Sequence, residues 1–198
     1  FQVLHMVMEI NPDGVRISVV GLGYVGLPTA LAFHRAGFNV SGIDVSESVI
    51  SSLLGGKPPF VDGGAEMTIP LDDSRWAVTS DFESIIPNSD IILITVPTPV
   101  DETKLPDLSY VESASRSILN SIDKGSNTII VLESTVYPGV TRSKLGPICS
   151  EFGLIEGVDV TIAYSPERIN PGDSLHSANS VDRIVGCDDS ITGEYLAE

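Results

Sequence analysis

Positive charge is the scarcest feature of this 198-residue chain, which has 11 lysines and arginines against 27 aspartates and glutamates. The formal net charge is −16. An acidic surface of this kind repels phosphate backbones and anionic lipid headgroups, so nucleic acid and membrane surfaces are not expected partners. A phosphorylated small molecule would need a local pocket that compensates for the overall charge.

Cysteine and long apolar runs are also scarce. Cys149 and Cys187 are the two cysteines, and neither has a C-x-x-C partner or a neighbouring histidine. This argues against a disulfide framework or a metal site and favours a reducing, cytoplasmic location. No apolar run approaches the ~18 residues of a membrane span. The opening stretch "FQVLHMVMEI" lacks the basic flank and the cleavage site of a signal peptide, so none is expected.

Apolar residues make up 42% of the chain and fall into segments that alternate between two periodicities. Short β-branched runs predict strands, and runs with apolar residues at helical spacing predict helices between them. Strands that are apolar on both faces and alternate with helices indicate a doubly wound α/β domain with a mostly parallel sheet. The predicted strands are 15–21, 39–44, 75–80, 90–96, 127–135, 159–165 and 183–187, and the predicted helices are 25–37, 46–56, 106–122 and 141–153.

The stretch "GLGYVG" places Gly21, Gly23 and Gly26 between the first strand and the first helix. Asp44 ends the second strand, 18 positions after Gly26. Glycines in this spacing permit a tight turn, close approach of a pyrophosphate, and close packing of the helix. Together with the acidic residue they favour a Rossmann-like dinucleotide site over the alternative, a glycine-rich turn with a capping aspartate.

Asp44 also favours one dinucleotide over the other. A ribose 2′-phosphate about 4 Å from this carboxylate would meet about 4 kcal/mol of repulsion per unit charge at an effective dielectric near 20. No arginine lies beside Asp44 in the sequence. The expected cofactor is therefore NAD rather than NADP.

Polar clusters follow three further predicted strands. Each cluster alone is more simply interpreted as a turn in which a hydroxyl caps the next helix. Ligands of parallel α/β sheets bind beyond the carboxyl ends of the strands, so three clusters at this edge favour a site. The clusters are Pro97–Thr98–Pro99, Glu133–Ser134–Thr135 and Glu167–Arg168.

Seven segments together resemble the UDP-glucose/GDP-mannose dehydrogenase family of nucleotide-sugar 6-dehydrogenases. They occur in the family's order and cover the chain from about residue 15 to residue 186. The segments are "GLGYVGLPTA", "GIDVSES", "VPTPVDE", "PDLSYVESASRSI", "ESTVYPGVT", "YSPERINPGD" and "DRIVG".

The resemblance implies an enzyme that oxidises the C6 alcohol of a UDP-sugar to a carboxylate while reducing two NAD. In the family, a cysteine in a later domain traps the aldehyde as a thioester, which is then hydrolysed. A homo-oligomer is also expected. Carried over by position, the resemblance implies Gly21, Gly23, Tyr24, Val25, Gly26, Asp44, Thr98 and Thr135 as cofactor contacts; Glu167 as the acid/base and Thr135 as a water-positioning hydroxyl; and Arg168, Ile169 and Asn170 as substrate contacts.

This sequence departs from the family in several places. The catalytic cysteine and its lysine and asparagine partners have no counterpart, so we expect residues 15–198 to be the NAD-binding domain of a longer enzyme, inactive alone, with 1–14 as an extension. Pro171 stands where the UDP-glucose branch usually has glutamate, which makes "ERINPG" more similar to the branch acting on UDP-N-acetylmannosamine or UDP-N-acetylglucosamine. Asp62 replaces a common glutamate.

Three alternatives remain open on the sequence. One is a UDP-glucose 6-dehydrogenase. Another is a dehydrogenase of the 3-hydroxyacid type, which shares the first fifty residues but does not explain "ESTV" or "SPERINPG". The third is a module that senses NAD without turnover.

Overall fold

The computed structural model of the chain describes residues 11–60, 67–100, 104–166 and 184–197. Seven strands form one sheet: β1 Arg16–Val20, β2 Asn39–Ile43, β3 Trp76–Thr79, β4 Ile91–Ile94, β5 Thr128–Leu132, β6 Val160–Tyr164 and β7 Gly186–Cys187. Their spatial order is β3-β2-β1-β4-β5-β6-β7, and every neighbouring pair is parallel except β6–β7. The prediction of a doubly wound, mostly parallel sheet is confirmed.

Six α-helices accompany these strands in the described residues: α1 Gly26–Arg35, α2 Glu47–Leu54, α3 Phe82–Ile85, α4 Ser109–Asn120, α5 Gly146–Glu151 and α6 Ser190–Ala197. A 3₁₀ turn at Pro12–Gly14 precedes β1, and another at Ile86–Asn88 follows α3. None of the helices within the described residues combines the length and apolar character that crossing a membrane requires.

The predicted helix 141–153 is divided into two parts. Residues Thr141–Leu145 form a π-helical turn, and α5 follows with Pro147 in its first turn. Proline lacks the N–H that an α-helix interior needs, whereas the first turn tolerates it. The single helix that the sequence predicts therefore changes from a π-helical turn to an α-helix immediately before Pro147.

Two apolar clusters lie on opposite faces of the sheet. Ile92 and Ile94 of β4 belong to the cluster under α4 and α5, whereas Ile91 and Leu93 belong to the cluster under α1 and α2. This alternation is what a strand covered on both faces requires. The burial fixes the strands rigidly, so that the segments leaving their carboxyl ends emerge from a well-defined edge.

Local capping sets the helix bounds on the site side of the molecule. Ser46 accepts a hydrogen bond from the Val49 amide at the start of α2, and Gly55 ends that helix, so α2 lies within the predicted helix 46–56. Gly37 has φ +102° and terminates the turn after α1. Asp107 accepts from the amide of Ser109, the first residue of α4, at 2.9 Å, while Leu108 occupies the N-cap position.

Candidate functional site

The loop between β1 and α1 depends on two of its three glycines for its shape. Gly21 has φ +97°, and a Cβ there would lie 3.1 Å from the Thr95 carbonyl oxygen. A Cβ on Gly26 would lie only 1.8 Å from the Gly21 carbonyl oxygen, which no structure allows. These are the tight-turn and close-packing roles that the spacing predicts.

Gly23, the middle glycine, has a different environment. It is exposed, and a Cβ built on it meets no atom within 4 Å. Packing of the protein against itself therefore does not require glycine at this position. Open space beside a bare backbone is what close approach of a phosphate group needs, and the dinucleotide fits the loop in this respect.

The start of helix α1 provides the second element of an anion site. Val25 is the N-cap residue, and no side chain caps this end among the described residues. The first amides of a helix have no intrahelical acceptor and carry the positive end of the helix dipole. The Leu27 amide donates to the Gly23 carbonyl at 3.1 Å, and the Thr29 amide donates to the Val25 carbonyl at 3.1 Å. An uncapped helix start beside a glycine loop can receive phosphate oxygens.

Asp44 lies at the end of β2 and joins the glycine loop to the start of α2. Its Oδ2 accepts from the Leu22 amide at 2.7 Å, and its Oδ1 accepts from the Ser46 amide at 2.9 Å. A carboxylate oxygen has more than one acceptor site, so each retains capacity for a hydroxyl donor. The half-buried side chain is held in place before any ligand arrives and can accept hydrogen bonds from a ribose.

Thr95 supports the loop from below, and sequence reasoning missed it. It is only 8% exposed, and its hydroxyl oxygen lies 3.0 Å from the Val20 carbonyl and 2.8 Å from the Gly21 carbonyl. In the sequence it lies inside the predicted strand 90–96 and outside the three polar clusters. Its signal was a hydroxyl at the end of the strand that pairs with β1.

The first two polar clusters meet at the carboxyl ends of β4 and β5. The Thr98 hydroxyl donates to the Thr135 carbonyl at 2.8 Å. The Ser134 hydroxyl is buried and lies 2.7 Å from the Val96 carbonyl. Glu133 is 2% exposed, whereas the Thr135 side chain is exposed. The sequence prediction that these two clusters share one edge is confirmed, and Ser134 holds them together.

The third cluster, Glu167, Arg168, Ile169 and Asn170, lies outside the described residues, as do Pro171 and Asp62. The described residues that flank it are at the same edge of the sheet. The Ser165 amide donates to the Leu132 carbonyl at 3.0 Å, and Tyr164 pairs with Gly186 across β6 and β7.

Tyr24 extends from the glycine loop with 55% of its surface exposed. Its ring centroid lies 4.2 Å from that of Phe60, and the rings are tilted by 34°. Val25, half-buried at the N-cap of α1, is the neighbouring residue. Phe60 did not figure among the residues predicted from the sequence.

The two cysteines are placed as core and structural residues. Cys149 is 1% exposed in α5, and burial raises the pKa of its thiol. A buried thiol with a raised pKa is a poor nucleophile. Cys187 lies in β7, within the predicted strand 183–187, with its Sγ 3.9 Å from the Ile162 carbonyl oxygen. Among the described residues, no group of three or more potential metal ligands is close enough to hold an ion.

Known proteins with similar sequences include dehydrogenases that act on nucleotide sugars. The NAD binding domain of the UDP-glucose/GDP-mannose dehydrogenase family matches residues 15–198. Protein CapL of Staphylococcus aureus is 40% identical over 171 residues, which are 85% of this chain and 38% of that protein. UDP-N-acetyl-D-glucosamine 6-dehydrogenase of Salmonella typhi is 38% identical over 94% of this chain and 43% of its own length.

Among solved structures, a GDP-mannose dehydrogenase from Pseudomonas aeruginosa superimposes with a TM-score of 0.84 at 32% identity. It covers 92% of this chain, and the chain covers 43% of it. The chain thus spans about two fifths of the length of the curated relatives and solved structures that it matches.

Proposed function

The chain belongs to the UDP-glucose/GDP-mannose dehydrogenase family, and we propose that it binds NAD at the carboxyl edge of its sheet for the oxidation of a UDP-sugar. The observation that carries this proposal is the joint geometry of Gly23 and Asp44. Open space lies over the backbone of Gly23, and beside it Asp44 is fixed by two backbone amides. Pyrophosphate and ribose are the two groups that such a pair recognises.

The residues assigned to the cofactor are the three loop glycines, Tyr24, Val25, Asp44, Thr98 and Thr135. The uncapped start of α1 holds the phosphates, and Asp44 accepts from the adenosine ribose. The bound nicotinamide supplies the hydride acceptor. Asp44 favours NAD over NADP because a 2′-phosphate would approach its charge directly.

The complete enzyme, in this proposal, oxidises the C6 hydroxyl of its UDP-sugar to a carboxylate, with two NAD consumed. Glu167 takes the proton of the hydroxyl as the hydride leaves, and it later activates a water that Thr135 positions. Arg168, Ile169 and Asn170 contact the substrate. A carboxylate next to an arginine in the sequence suits both proton transfer and binding of a charged substrate.

The domain organisation is part of the proposal. Residues 15–198 form the NAD-binding domain, 1–14 precede it, and central and C-terminal domains supply the nucleophilic cysteine. The coverage of about two fifths of the relatives supports this arrangement. The buried state of Cys149 supports it too, since that thiol is not placed to attack an aldehyde. A cytoplasmic homo-oligomer is the expected form of the complete enzyme.

The substrate class is proposed as a UDP-N-acetylhexosamine, N-acetylmannosamine or N-acetylglucosamine. The names of relatives in Salmonella typhi and Escherichia coli support it, as does Pro171 in the sequence. A proline there removes a charge and an N–H from the segment next to Glu167 and Arg168. The neighbouring backbone is then suited to an acetamido group rather than a bare hydroxyl.

Two measurements test the proposed function. Calorimetry at fixed salt should give tighter binding of NAD than of NADP. The kcat/KM of the complete enzyme should be higher on the two UDP-N-acetylhexosamines than on UDP-glucose. Sites that hydrogen-bond a substrate group can reject the analogue lacking it by about 10⁴ or more. A preference for UDP-glucose would overturn the substrate class. NAD binding by the complete protein, without turnover of any of the three UDP-sugars, would favour a sensing module.

The 198-residue chain by itself should bind NAD but show no sustained NADH formation with any of the three UDP-sugars. Cys149 is buried in α5, and the Cys187 Sγ lies against the Ile162 carbonyl oxygen within the sheet, so neither thiol takes the place of the nucleophilic cysteine in this proposal. Sustained turnover by this chain alone would contradict the proposed domain organisation.

A further inference from the structure

We propose that Phe60 is a positioning residue for the dinucleotide, acting through Tyr24. This inference rests on the proposed function, because it assigns a residue outside the family-derived set to the same site. The Phe60 ring lies against the exposed ring of Tyr24 with a centroid distance of 4.2 Å. Tyr24 is part of the loop whose amides precede α1, so restraint of its ring also restrains that loop.

Phe60 is itself held by the turn that follows α2. The Ser52 hydroxyl donates to the Lys57 carbonyl at 2.9 Å, and the Lys57 amide donates back to the Ser52 carbonyl at 2.9 Å. Gly56, with φ +74°, makes this reversal possible. Pro58 and Pro59 then fix two successive φ angles immediately before Phe60. The aromatic ring therefore follows a stiff segment rather than a free loop.

The Phe60 side chain is anchored from below as well. It is half-buried and packs against the cluster that contains Leu27 of α1 and Leu53 of α2. Phe60 therefore contacts both this apolar cluster and the ring of Tyr24. Such a ring can hold Tyr24 in one orientation, whereas an exposed tyrosine alone would sample several rotamers.

The consequence for binding is pre-organisation. A tyrosine that is ordered before the dinucleotide arrives has less conformational entropy left to lose on binding. The ring pair also connects the two parts of the site, since Phe60 follows the helix that starts beside Asp44 while Tyr24 lies on the glycine loop. Aromatic pairs of this kind are worth about 2- to 12-fold in an equilibrium constant.

The test is a double-mutant cycle in which the dissociation constant for NAD is measured for the wild-type protein, Tyr24→Ala, Phe60→Leu and the double variant. Phe60→Leu keeps an apolar side chain on the core cluster but removes the flat ring face. We expect it to weaken NAD binding about 2- to 12-fold and to have no further effect when Tyr24 is already alanine. Phe60→Tyr should restore the wild-type dissociation constant.

A purely structural role for Phe60 gives a different result. The melting temperature would then fall in Phe60→Leu while the dissociation constant for NAD stayed unchanged, and the effects of the two single substitutions would add. Either result overturns the inference. If the wild-type protein binds no NAD at all, the proposed function fails first; if it binds NAD and the cycle shows no coupling, only the assignment of Phe60 fails.

Discussion

The hydroxyl oxygen of Thr95 lies 2.8 Å from the carbonyl oxygen of Gly21, across the boundary between β4 and β1. A Cβ on Gly26 would come within 2.5 Å of the same hydroxyl oxygen. The carbonyl of Gly21 is therefore enclosed between a threonine side chain and the start of α1. The shape of the glycine loop depends on a residue from a different strand as well as on its own glycines.

Thr95→Val should destabilise the protein and weaken NAD binding. Valine keeps the shape of threonine but leaves the Gly21 carbonyl without its side-chain donor. Loss of a partner by such a group costs about 1–3 kcal/mol. Urea unfolding should show this decrease, and calorimetry should show a larger dissociation constant for NAD. Thr95→Ser is the matched control, since it retains the hydroxyl, and a valine variant as stable as wild type would contradict the role of this contact.

Alanine substitutions at Gly23 and Gly26 should distinguish a glycine that ligand binding requires from one that folding requires. Gly23→Ala adds a methyl group that meets no protein atom within 4 Å, so the free energy of unfolding should change by no more than about 0.5 kcal/mol. NAD binding should nevertheless fall steeply, because the methyl group occupies the space that a pyrophosphate needs.

Gly26→Ala should instead damage the fold itself. Its Cβ would lie 1.8 Å from the Gly21 carbonyl oxygen, and overpacking typically costs about 1–3 kcal/mol, sometimes more. Thermal unfolding and NAD calorimetry on both variants make the comparison. Equal losses of stability at the two positions would show that Gly23 is also fixed by the fold.

Asp44→Asn should reduce the preference for NAD over NADP. The substitution removes the charge while an amide oxygen can still accept from Leu22 or Ser46. The repulsion it relieves is about 4 kcal/mol at about 4 Å and an effective dielectric near 20. The ratio of the two dissociation constants is the quantity to measure, because the absolute affinities also reflect loss of the loop contact.

Asp44→Ala is the control for that loop contact. It removes both backbone hydrogen bonds and should weaken NAD and NADP together relative to the asparagine variant. An unchanged NAD to NADP ratio in Asp44→Asn would show that another feature selects the cofactor.

Most of the fold could be predicted from the sequence because strands covered on both faces are strongly apolar. Strands β1 to β7 lie within the predicted segments, and the ends of α2 coincide with Ser46 and Gly55. Helices α3 and α6 were missed. The first has only four residues, and the second has no buried residue and hence no clear apolar stripe.

The site was predictable where function requires a residue type at fixed spacing. Gly21, Gly26 and Asp44 have such requirements, and the structure places them together. Thr95 and Phe60 act on the loop from distant parts of the chain. The role of Thr95 depends on the pairing of β4 with β1, and the role of Phe60 depends on the path of the chain after α2. Neither arrangement can be predicted from one segment of the sequence. Placement of the third polar cluster, Glu167 to Asn170, stays a prediction.

Stability at low pH should depend on Asp159. This residue is 5% exposed and accepts from the Gly125 amide at 2.6 Å and from the Ile155 amide at 2.7 Å. These backbone hydrogen bonds lower the pKa of its carboxyl group below the ordinary value. Its contribution is therefore fully present above the unfolded pKa of about 3.9 and is lost as the pH falls through the lower folded value.

Asp159→Asn should flatten that part of the pH profile. An asparagine does not titrate, so the variant should be less stable than wild type at pH 7, and the difference should shrink as the pH falls from about 5 to 2. Urea unfolding across this range measures it. A constant difference at every pH would mean that ionisation of Asp159 does not contribute.

Thr98→Val should act on the proposed chemistry through Thr135. The Thr98 hydroxyl donates to the Thr135 carbonyl at 2.8 Å and so fixes the two strand ends relative to each other. The bond is partly exposed, so its loss should cost only about 0.5–1.5 kcal/mol of stability. A displaced Thr135 would no longer position the hydrolytic water, and misplacement by about 1 Å can cost about 10²-fold in rate. In the complete enzyme kcat should therefore fall more than the KM for the UDP-sugar rises.

Thr98→Ser is the control for this prediction. It keeps the hydroxyl donor and should retain most of the wild-type kcat. If the serine and valine variants lower kcat equally, the methyl group of Thr98 matters and the hydrogen bond does not.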